Sequence, residues 1–242
     1  MEQDRIAEIL RPFLAAKSLP AQTALSVEQF RSISIYIELL LRWNARINLT
    51  AVRAPEAIVS RHFGESLFLA AHLFGPDAEA HRQHALDLGS GAGFPGLPLK
   101  IYAPQLRLTL VESNRKKASF LGEVIRALQL RDVRVFSGRV EASLNESASG
   151  SEMPVGVDPV DIVTMRAVER FESALATAAV LVRHSAASLG AGKLALLVGL
   201  SQAQRAPVLL PDFSWQSPIP VPESRERVVL VGRYQSAQVS KE

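Results

Sequence analysis

The segment LDLGSGAGFPG, residues 86–96, decides the fold class of this chain. Its glycines, at positions 89, 91, 93 and 96, stand between an apolar run and a helical pattern. Glycine loses more backbone entropy on folding than any other residue, so this density indicates a turn that a ligand approaches closely. Such a turn between a strand and a helix is typical of the cofactor site of Rossmann-like domains.

The turn matches the patterns of two cofactors. Gly91, Gly93 and Gly96 spell G-x-G-x-x-G, which is typical of dinucleotide sites, and Asp87 begins the overlapping D-x-G-x-G-x-G. A carboxylate at this position opposes the diphosphate of a dinucleotide, whereas S-adenosylmethionine has no phosphate and carries ammonium and sulfonium cations. Pro95 also removes an N–H that a phosphate would use. The acid therefore favours S-adenosylmethionine.

Short apolar runs alternate with helical patterns from residue 83 onward. The runs predict strands at residues 84–89, 106–113, 133–138, 160–167, 192–199 and 226–235. The patterns between them predict helices at residues 95–104, 114–130, 170–189 and 201–207. Continuously apolar strands that alternate with helices indicate a parallel sheet covered on both faces. The predicted class is α/β with a Rossmann-like fold.

The first 80 residues carry helical patterns without a clear strand. Ser26, with Gln29 three residues later, predicts a capping box at the start of one helix. Pro55 begins another helix, which runs to residue 74. Residues 145–159 are rich in Ser, Gly and Pro and predict an exposed loop. The predicted organisation is a helical extension over 1–80, a Rossmann-like domain over 81–236 and a frayed tail over 237–242.

The composition restricts the class of protein. Lys and Arg number 27 against 24 Asp and Glu, a formal net charge of +3, and the isoelectric point is about 9.4. This mild excess permits a nucleic-acid partner without requiring one. The absence of cysteine excludes disulfides and cysteine-based metal sites, and we predict no metal. Because no signal core and no run long enough for a bilayer is found, we predict a cytoplasmic protein without a membrane partner.

The ends of three later strands carry candidate site residues. Glu112 suits the ribose hydroxyls of an adenosine, in NAD as well as in S-adenosylmethionine. Val140 and Glu141 follow the third strand, where an adenine would lie, although an ordinary helix start has the same pattern. Arg166 follows the fourth strand and suits guanine O6 or a phosphate. The alternative for this arginine is an ion pair with a nearby acid, Glu169 or Glu172.

Several motifs together resemble the RsmG family, also called GidB, from about residue 40 to residue 200. They are WNARINLTAV at 43–52, RHFGESL at 61–67, DLGSGAGFPGLPL at 87–99, LVESNRKKASFL at 110–121, SGRVEA at 137–142 and VTMRAV at 163–168. The resemblance implies a Rossmann-like, S-adenosylmethionine-dependent methyltransferase with an N-terminal helical extension. It also implies methylation of N7 of a guanine in 16S ribosomal RNA, with the small ribosomal subunit as partner. Separately, we predict a monomeric chain.

The turn and the resemblance together give three groups of site residues. The residues predicted to be catalytic are Arg166 and Glu65. The residues predicted to bind the cofactor are Asp87, Gly89, Ser90, Gly91, Gly93, Phe94, Glu112, Ser113, Arg139, Val140, Glu141 and Arg166. The N-terminal helices supply a predicted substrate wall of Asn44, Asn48, His62 and Ser66.

Two positions depart from the pattern of the family. Glu65 stands where members usually have Asp, which keeps the charge on a longer arm. Val198, at the end of the fifth predicted strand, stands where members usually have Lys. The second change removes a cation that would help to hold ribosomal RNA.

The implied chemistry needs no general base, because guanine N7 presents an in-plane lone pair. Positioning is then the main source of catalysis. Trp43 or Phe94 would stack on the base, and RNA contact is predicted for Arg42, Arg46, Arg53, Arg61, Arg115, Lys116 and Lys117. Two alternatives stay open. One is an NAD-dependent oxidoreductase, supported by the dinucleotide pattern and Glu112, and the other is a non-catalytic RNA- or ribosome-binding protein of the same fold.

Overall fold

The strands that follow residue 83 form a single mixed sheet. The computed structural model describes residues 1–19, 24–75, 83–140, 158–166 and 170–236. Within these ranges the strands are β1 His84–Leu88, β2 Arg107–Glu112, β3 Val133–Ser137, β4 Ile162–Arg166, β5 Ala191–Gly199, β6 Ser214–Trp215, β7 Ile219–Pro220 and β8 Arg227–Gln235. Their order across the sheet is β3-β2-β1-β4-β5-β8-β6, and β7 pairs with β8.

The six predicted strands are all present, and β1 to β5 run parallel. The prediction of a wholly parallel sheet was wrong for the last strands, because β8 is antiparallel to β5, from Ala191↔Gln235 to Gly199↔Arg227. A buried strand gives an apolar run in either direction, so the pattern did not indicate the reversal. The reversal places the beginning of β8 at the edge where the parallel strands end.

Helices cover both faces of the sheet, as the apolar strands predicted. One apolar cluster joins the first helices to one face through residues such as Phe63 and Leu110. The second cluster packs Leu175 against Leu196 on the other face. The helices are α1 Gln3–Leu14, α2 Val27–Asn44, α3 Pro55–Ile58, α4 Glu65–Leu73, α5 Gly96–Tyr102, α6 Arg115–Ala127, α7 Phe171–Leu189 and α8 Leu200–Leu209.

The start of α2 is the predicted capping box. The Ser26 hydroxyl oxygen accepts a hydrogen bond from the Gln29 backbone N–H at 3.2 Å, and Gln29 Oε1 accepts one from the Ser26 N–H at 2.7 Å. The Gln29 amide nitrogen also donates to the carbonyl of Ile101 at 2.8 Å. The cap therefore fixes the helix start and ties α2 to the end of α5.

A π-helical turn, Val59–Gly64, joins α3 to α4. The helix predicted from Pro55 is therefore continuous, with a widened middle. Such turns are frequent at functional sites, and this one carries His62. Gly64 lies against α1, since a Cβ at this position would be 2.6 Å from the Phe13 ring. Close packing of α1 thus holds the turn in place.

Some predicted features fall outside the described residues. They are the boundary between residues 80 and 81, the tail 237–242 and the first part of the loop predicted at 145–159. Among the helices that are described, none combines the length and the hydropathy that a membrane crossing requires.

Candidate functional site

The glycine-rich turn joins β1 to α5 at the carboxyl edge of the parallel strands. Gly89, Gly91 and Gly93 have φ angles of 72°, 58° and 89°, which side-chain-bearing residues rarely adopt. A Cβ on Gly93 would lie 2.3 Å from the Tyr36 hydroxyl oxygen, whereas a Cβ on Gly91 would meet nothing closer than 3.8 Å. Gly93 therefore serves packing beneath the turn, and Gly91 leaves the outer side of the turn open.

A cavity of about 420 Å³ lies beside this turn, at the ends of β1, β2 and β3. Of the residues predicted to bind the cofactor, four line it: Gly89, Glu112, Ser113 and Arg139. The sequence reasoning missed the other lining residues, which are Leu88, Val111, Gly138, Arg170, Ser173 and Ala174. The rule that ligands bind beyond the carboxyl ends of parallel strands would have indicated Arg170, because it follows β4 in the sequence and immediately precedes α7.

Glu112 organises the cavity wall. Its Oε2 accepts a hydrogen bond from the Gly91 N–H at 2.9 Å, and its Oε1 accepts one from the Asn114 N–H at 2.7 Å. A carboxylate accepts roughly four hydrogen bonds, so two backbone donors leave capacity for further ones. The side chain is buried but lines the cavity. A carboxylate fixed in this way suits a pair of neighbouring hydroxyl groups.

Asp87 lies beneath the turn and does not line the cavity. Its Oδ1 accepts a hydrogen bond from the Thr164 hydroxyl at 2.8 Å, and its Oδ2 accepts one from the Gly96 N–H at 3.2 Å. Burial raises the pKa of Asp87 to about 6, against the hydrogen bonds from Thr164 and Gly96, which lower it. The side chain of Asp87 therefore links β1 to β4 and to α5 by hydrogen bonds. Its direct contact with a cofactor stays a prediction.

Asp87→Asn is expected to remove a pH dependence of stability. Because the pKa of Asp87 is raised from 3.8 to about 6, the folded chain retains a proton that the unfolded chain releases between these values. The stability that this proton provides is complete below the lower value and is lost as the pH rises through the upper one. Between about pH 4 and pH 7, wild-type stability should fall by about 3 kcal/mol relative to the variant. Urea unfolding across this range measures the difference, and parallel curves would contradict the expectation.

Arg166 and Glu65, the two residues predicted to be catalytic, form a buried ion pair. Arg166 Nη2 donates to Glu65 Oε2 at 3.0 Å and to the Arg61 carbonyl at 2.5 Å. The side chains are 7% and 5% exposed. The Arg227 side chain, which the sequence reasoning missed, reaches the same carboxylate, with its Nε 3.5 Å from Glu65 Oε2. These contacts thus join the end of β4 and the beginning of β8 to α4.

Burial and charge act against each other in this pair. Burial raises the pKa of Glu65, and Arg166 and Arg227 oppose that rise. Burial lowers the pKa of Arg166 to about 10, while Glu65 acts to raise it. The guanidinium therefore stays charged at neutral pH. Of the two acids considered as alternative partners of Arg166, Glu172 pairs with Arg205 instead, and Glu169 lies outside the described residues.

Phe94 joins the turn to the N-terminal helices. Its ring stacks on Tyr36 with centroids 5.3 Å apart and on His62 with centroids 4.9 Å apart. The guanidinium carbon of Arg166 lies 6.0 Å from the centroid of the same ring. The Tyr36 hydroxyl donates to the Ala92 carbonyl, which fixes the turn from below. Phe94 is buried in this stack, so the predicted contact with a cofactor or a base is not part of the described geometry.

His62 lies beside the ion pair in a neutral form. Burial, followed by the charges of Arg166, Arg61 and Arg227, lowers the pKa of His62 to about 3. Its Nε2 hydrogen-bonds the Thr50 hydroxyl at 2.8 Å. Its Nδ1 is buried without a hydrogen-bond partner among the described residues.

The other predicted wall residues occupy three different settings. Asn44 closes the loop after α2: its Oδ1 accepts from the N–H groups of Leu49 and Thr50, and its Nδ2 donates to the Thr50 carbonyl. The Ser66 hydroxyl donates to the His62 carbonyl at 2.6 Å, inside the helix. Asn48 is exposed. Asn44 and Ser66 therefore hold the wall in shape, and Asn48 is the member that faces solvent.

The remaining predicted residues lie deeper than expected or outside the described part. The Ser90 hydroxyl donates to the Asp87 carbonyl at 2.9 Å, and Val140 is buried in the cluster that packs α7. Glu141 lies outside the described residues. Val198 is buried near the end of β5, and Arg227 on the neighbouring strand places a guanidinium at the same edge of the sheet.

The residues considered for RNA contact fall into two groups. Arg42 and Trp43 both bind the Glu123 carboxylate, Trp43 through its indole N–H at 2.9 Å. Trp43 is thereby held against α6 and is not presented to a base. Arg42 is exposed beside this contact, and of the other basic residues in the predicted set Arg46, Arg53, Arg61, Arg115 and Lys116 are exposed and Lys117 is half-buried.

Comparison with known proteins gives a consistent result. A model of the GidB family, described as rRNA small subunit methyltransferase G, matches residues 29–191. Ribosomal RNA small subunit methyltransferase G of Chloroflexus aggregans is 36% identical over 208 residues, which are 86% of this chain and 82% of that protein. The protein of the same name from Nitrosomonas europaea is 38% identical over 157 residues, 65% of this chain and 66% of that one.

Solved structures match this chain in fold. M. jannaschii TYW2, solved in complex with AdoMet, covers 79% of each chain with a TM-score of 0.54 and 14% identity. TrmN from Thermus thermophilus covers 73% of this chain and 53% of that one, with a TM-score of 0.52 and 19% identity. At these identities the likeness concerns the fold alone, and it confirms the predicted Rossmann-like class.

Proposed function

This chain belongs to the GidB family, rRNA small subunit methyltransferase G, and on that premise we propose that it methylates N7 of a guanine in 16S rRNA. It is an S-adenosylmethionine-dependent methyltransferase whose substrate is ribosomal RNA. The observation that carries the proposal is the family match over residues 29–191, which contains the glycine turn, Glu112 and the Glu65–Arg166 pair. We further propose that the protein acts as a cytoplasmic monomer on the small ribosomal subunit.

The cavity beside the turn fits S-adenosylmethionine, which supplies a methyl group on a positively charged sulfur. The volume of the cavity, about 420 Å³, lies in the usual range for small-molecule sites. Glu112 would accept hydrogen bonds from the two ribose hydroxyls. The Gly96 N–H, at the start of α5, is occupied by Asp87 Oδ2, so it does not point at a diphosphate. The donor set therefore suits a cofactor without phosphate better than NAD.

The residues of the chain would act by positioning and by charge. Guanine N7 attacks with its own lone pair, so no side chain has to remove a proton. Arg166, fixed by Glu65 and the Arg61 carbonyl, would hold guanine O6, and His62 stays neutral beside it. The ring gains positive charge as N7 is methylated, and the Glu65 carboxylate would stabilise that charge. Orientation of N7 toward the methyl group would supply the rest of the rate acceleration.

A methyl-transfer assay tests the proposal. Small subunits from a strain that lacks this protein would be incubated with the purified chain and labelled S-adenosylmethionine, and the 16S rRNA would be digested and analysed by mass spectrometry. We expect label in 7-methylguanosine. Label in another nucleoside would contradict N7 of guanine as the target, and a complete 7-methylguanosine signal in untreated subunits would contradict the enzyme assignment.

Glu112→Gln is expected to weaken S-adenosylmethionine binding by about ten-fold to a hundred-fold, because a charged acceptor for the ribose hydroxyls is lost. Isothermal titration calorimetry of the wild type and the variant measures the change. Glu56→Gln, at an exposed position of α3, is the matched control and should bind as the wild type does. Equal affinity of a folded Glu112→Gln variant would remove Glu112 from the cofactor site. Titration with NAD in parallel should show no binding.

A further inference from the structure

Arg227 brings a second guanidinium to the Glu65 carboxylate from the far end of the sequence. It is the first residue of β8 and pairs with Gly199, the last residue of β5. Because β8 is antiparallel, its first residue lies at the edge where the parallel strands end. Its Nε is 3.5 Å from Glu65 Oε2, beside the site that Arg166 occupies.

The contact of Arg227 with Glu65 is looser than that of Arg166. A distance of 3.5 Å is long for an N–H···O hydrogen bond, whereas Arg166 donates to the same oxygen at 3.0 Å. The Arg227 side chain is 26% exposed, against 7% for Arg166. Within the described part of the chain the Arg227 guanidinium makes this ion pair and no hydrogen bond. The four N–H donors of its two terminal nitrogens therefore have no hydrogen-bond acceptor among the described residues.

The cluster carries more positive than negative charge. The guanidinium groups of Arg61, Arg166 and Arg227 all act on the carboxylate of Glu65, and Asp87 is a second acid whose charge acts on Arg166. Three cations therefore stand against two acids. Arg61 and Arg227 also repel the charge of Arg166. His62 adds no positive charge, because it is neutral. The excess positive charge of the exposed Arg61, the half-buried Arg227 and the buried Arg166 is relieved by an anion from outside, and the exposed side of Arg227 is where such an anion would arrive.

We propose that Arg227 is a positioning residue that binds a backbone phosphate of the RNA next to the target guanine. This inference rests on the proposed function, which places a guanosine beside Arg166. The phosphate replaces the weak contact between Arg227 and Glu65, and Arg166 keeps its own bonds to Glu65 and to the Arg61 carbonyl. The guanidinium fork of Arg227 matches the geometry of a phosphate, which a lysine reaches only as a point charge.

The test compares Arg227→Ala and Arg227→Lys with the control Arg31→Ala. Arg31 is exposed on α2, with its Nη1 3.9 Å from a Glu28 oxygen, so the control removes the same charge at a distance from the site. We expect Arg227→Ala to raise KM for small subunits about ten-fold with a small change in kcat. Binding to 16S rRNA over a series of salt concentrations should show a slope reduced by about one phosphate contact. Arg227→Lys should keep the salt slope and recover part of the affinity.

A purely structural role for Arg227 gives a different result. In that case Arg227→Ala would lower the unfolding temperature or the affinity for S-adenosylmethionine and leave the salt slope as in the wild type and Arg31→Ala. That outcome, or an unchanged KM, overturns the inference. Failure of the proposed function would be distinguished from failure of this inference, because the wild-type chain itself would then give no 7-methylguanosine in the methyl-transfer assay.

Discussion

Replacing Arg166 by methionine is expected to reduce kcat/KM for methyl transfer by about 10² to 10³-fold, the usual effect of losing one well-placed charged donor. The guanidinium is 7% exposed, lies 6.0 Å from the Phe94 centroid and is fixed by Glu65 and the Arg61 carbonyl. Steady-state kinetics with small subunits measure the loss. The same change should destabilise the fold by about 3–5 kcal/mol, since it leaves the buried Glu65 carboxylate without its main partner.

A second variant separates the loss of activity from the loss of stability. In Glu65→Leu with Arg166→Met, an apolar pair replaces the buried ion pair, and most of the stability should return. Activity should stay as low as in Arg166→Met. Recovery of activity together with stability would show that Arg166 acts through the fold alone, and would remove it from the reacting site.

Gly93→Ala is expected to destabilise the protein by about 3–5 kcal/mol. The φ angle of 89° strains any residue with a side chain. In addition, the new Cβ would lie 2.3 Å from the Tyr36 hydroxyl oxygen and 2.6 Å from Leu97 Cδ1. The side chains of Tyr36 and Leu97 would therefore have to move away from the turn. Urea unfolding of the wild type and the variant measures the difference in free energy.

Gly91→Ala is the matched control for this substitution. Its φ of 58° carries the same kind of backbone strain, but its Cβ would meet nothing closer than 3.8 Å. It should therefore cost only about 1–2 kcal/mol. If the two variants were equally stable, the tight packing of Gly93 against Tyr36 would not be a determinant of the fold.

The elements of the Rossmann-like half could be predicted because their signals are local. The apolar runs at β1, β2, β4 and β5 and the glycines of the turn each specify a conformation within a few residues. The capping box at Ser26 is equally local, since both of its hydrogen bonds span three positions. The parallel direction of β1 to β5 and the coverage of both faces follow from the alternation of strands and helices.

The candidate site could be predicted only in part, because its contacts join distant segments. The motifs indicated Glu65 and Arg166 separately, but nothing in either motif indicates that they bind each other or that Arg227 joins them. Asn44 shows a second limit. An asparagine at the end of a helix is equally typical of a ligand-binding residue and of a residue that stabilises a loop. Here Asn44 accepts hydrogen bonds from the loop that follows it. The side chain of Asp87 holds the turn from below, a role that its motif does not indicate, and its predicted contact with a cofactor stays a prediction.

The pairing of β8 with β5 also makes the complete site depend on contacts between distant parts of the chain. The described residues that line the cavity end at Ala174, whereas Arg227 reaches Glu65 from β8. A substitution that weakens the pairing of β8 with β5 is therefore expected to disturb the cluster of arginines more directly than the described lining of the cavity.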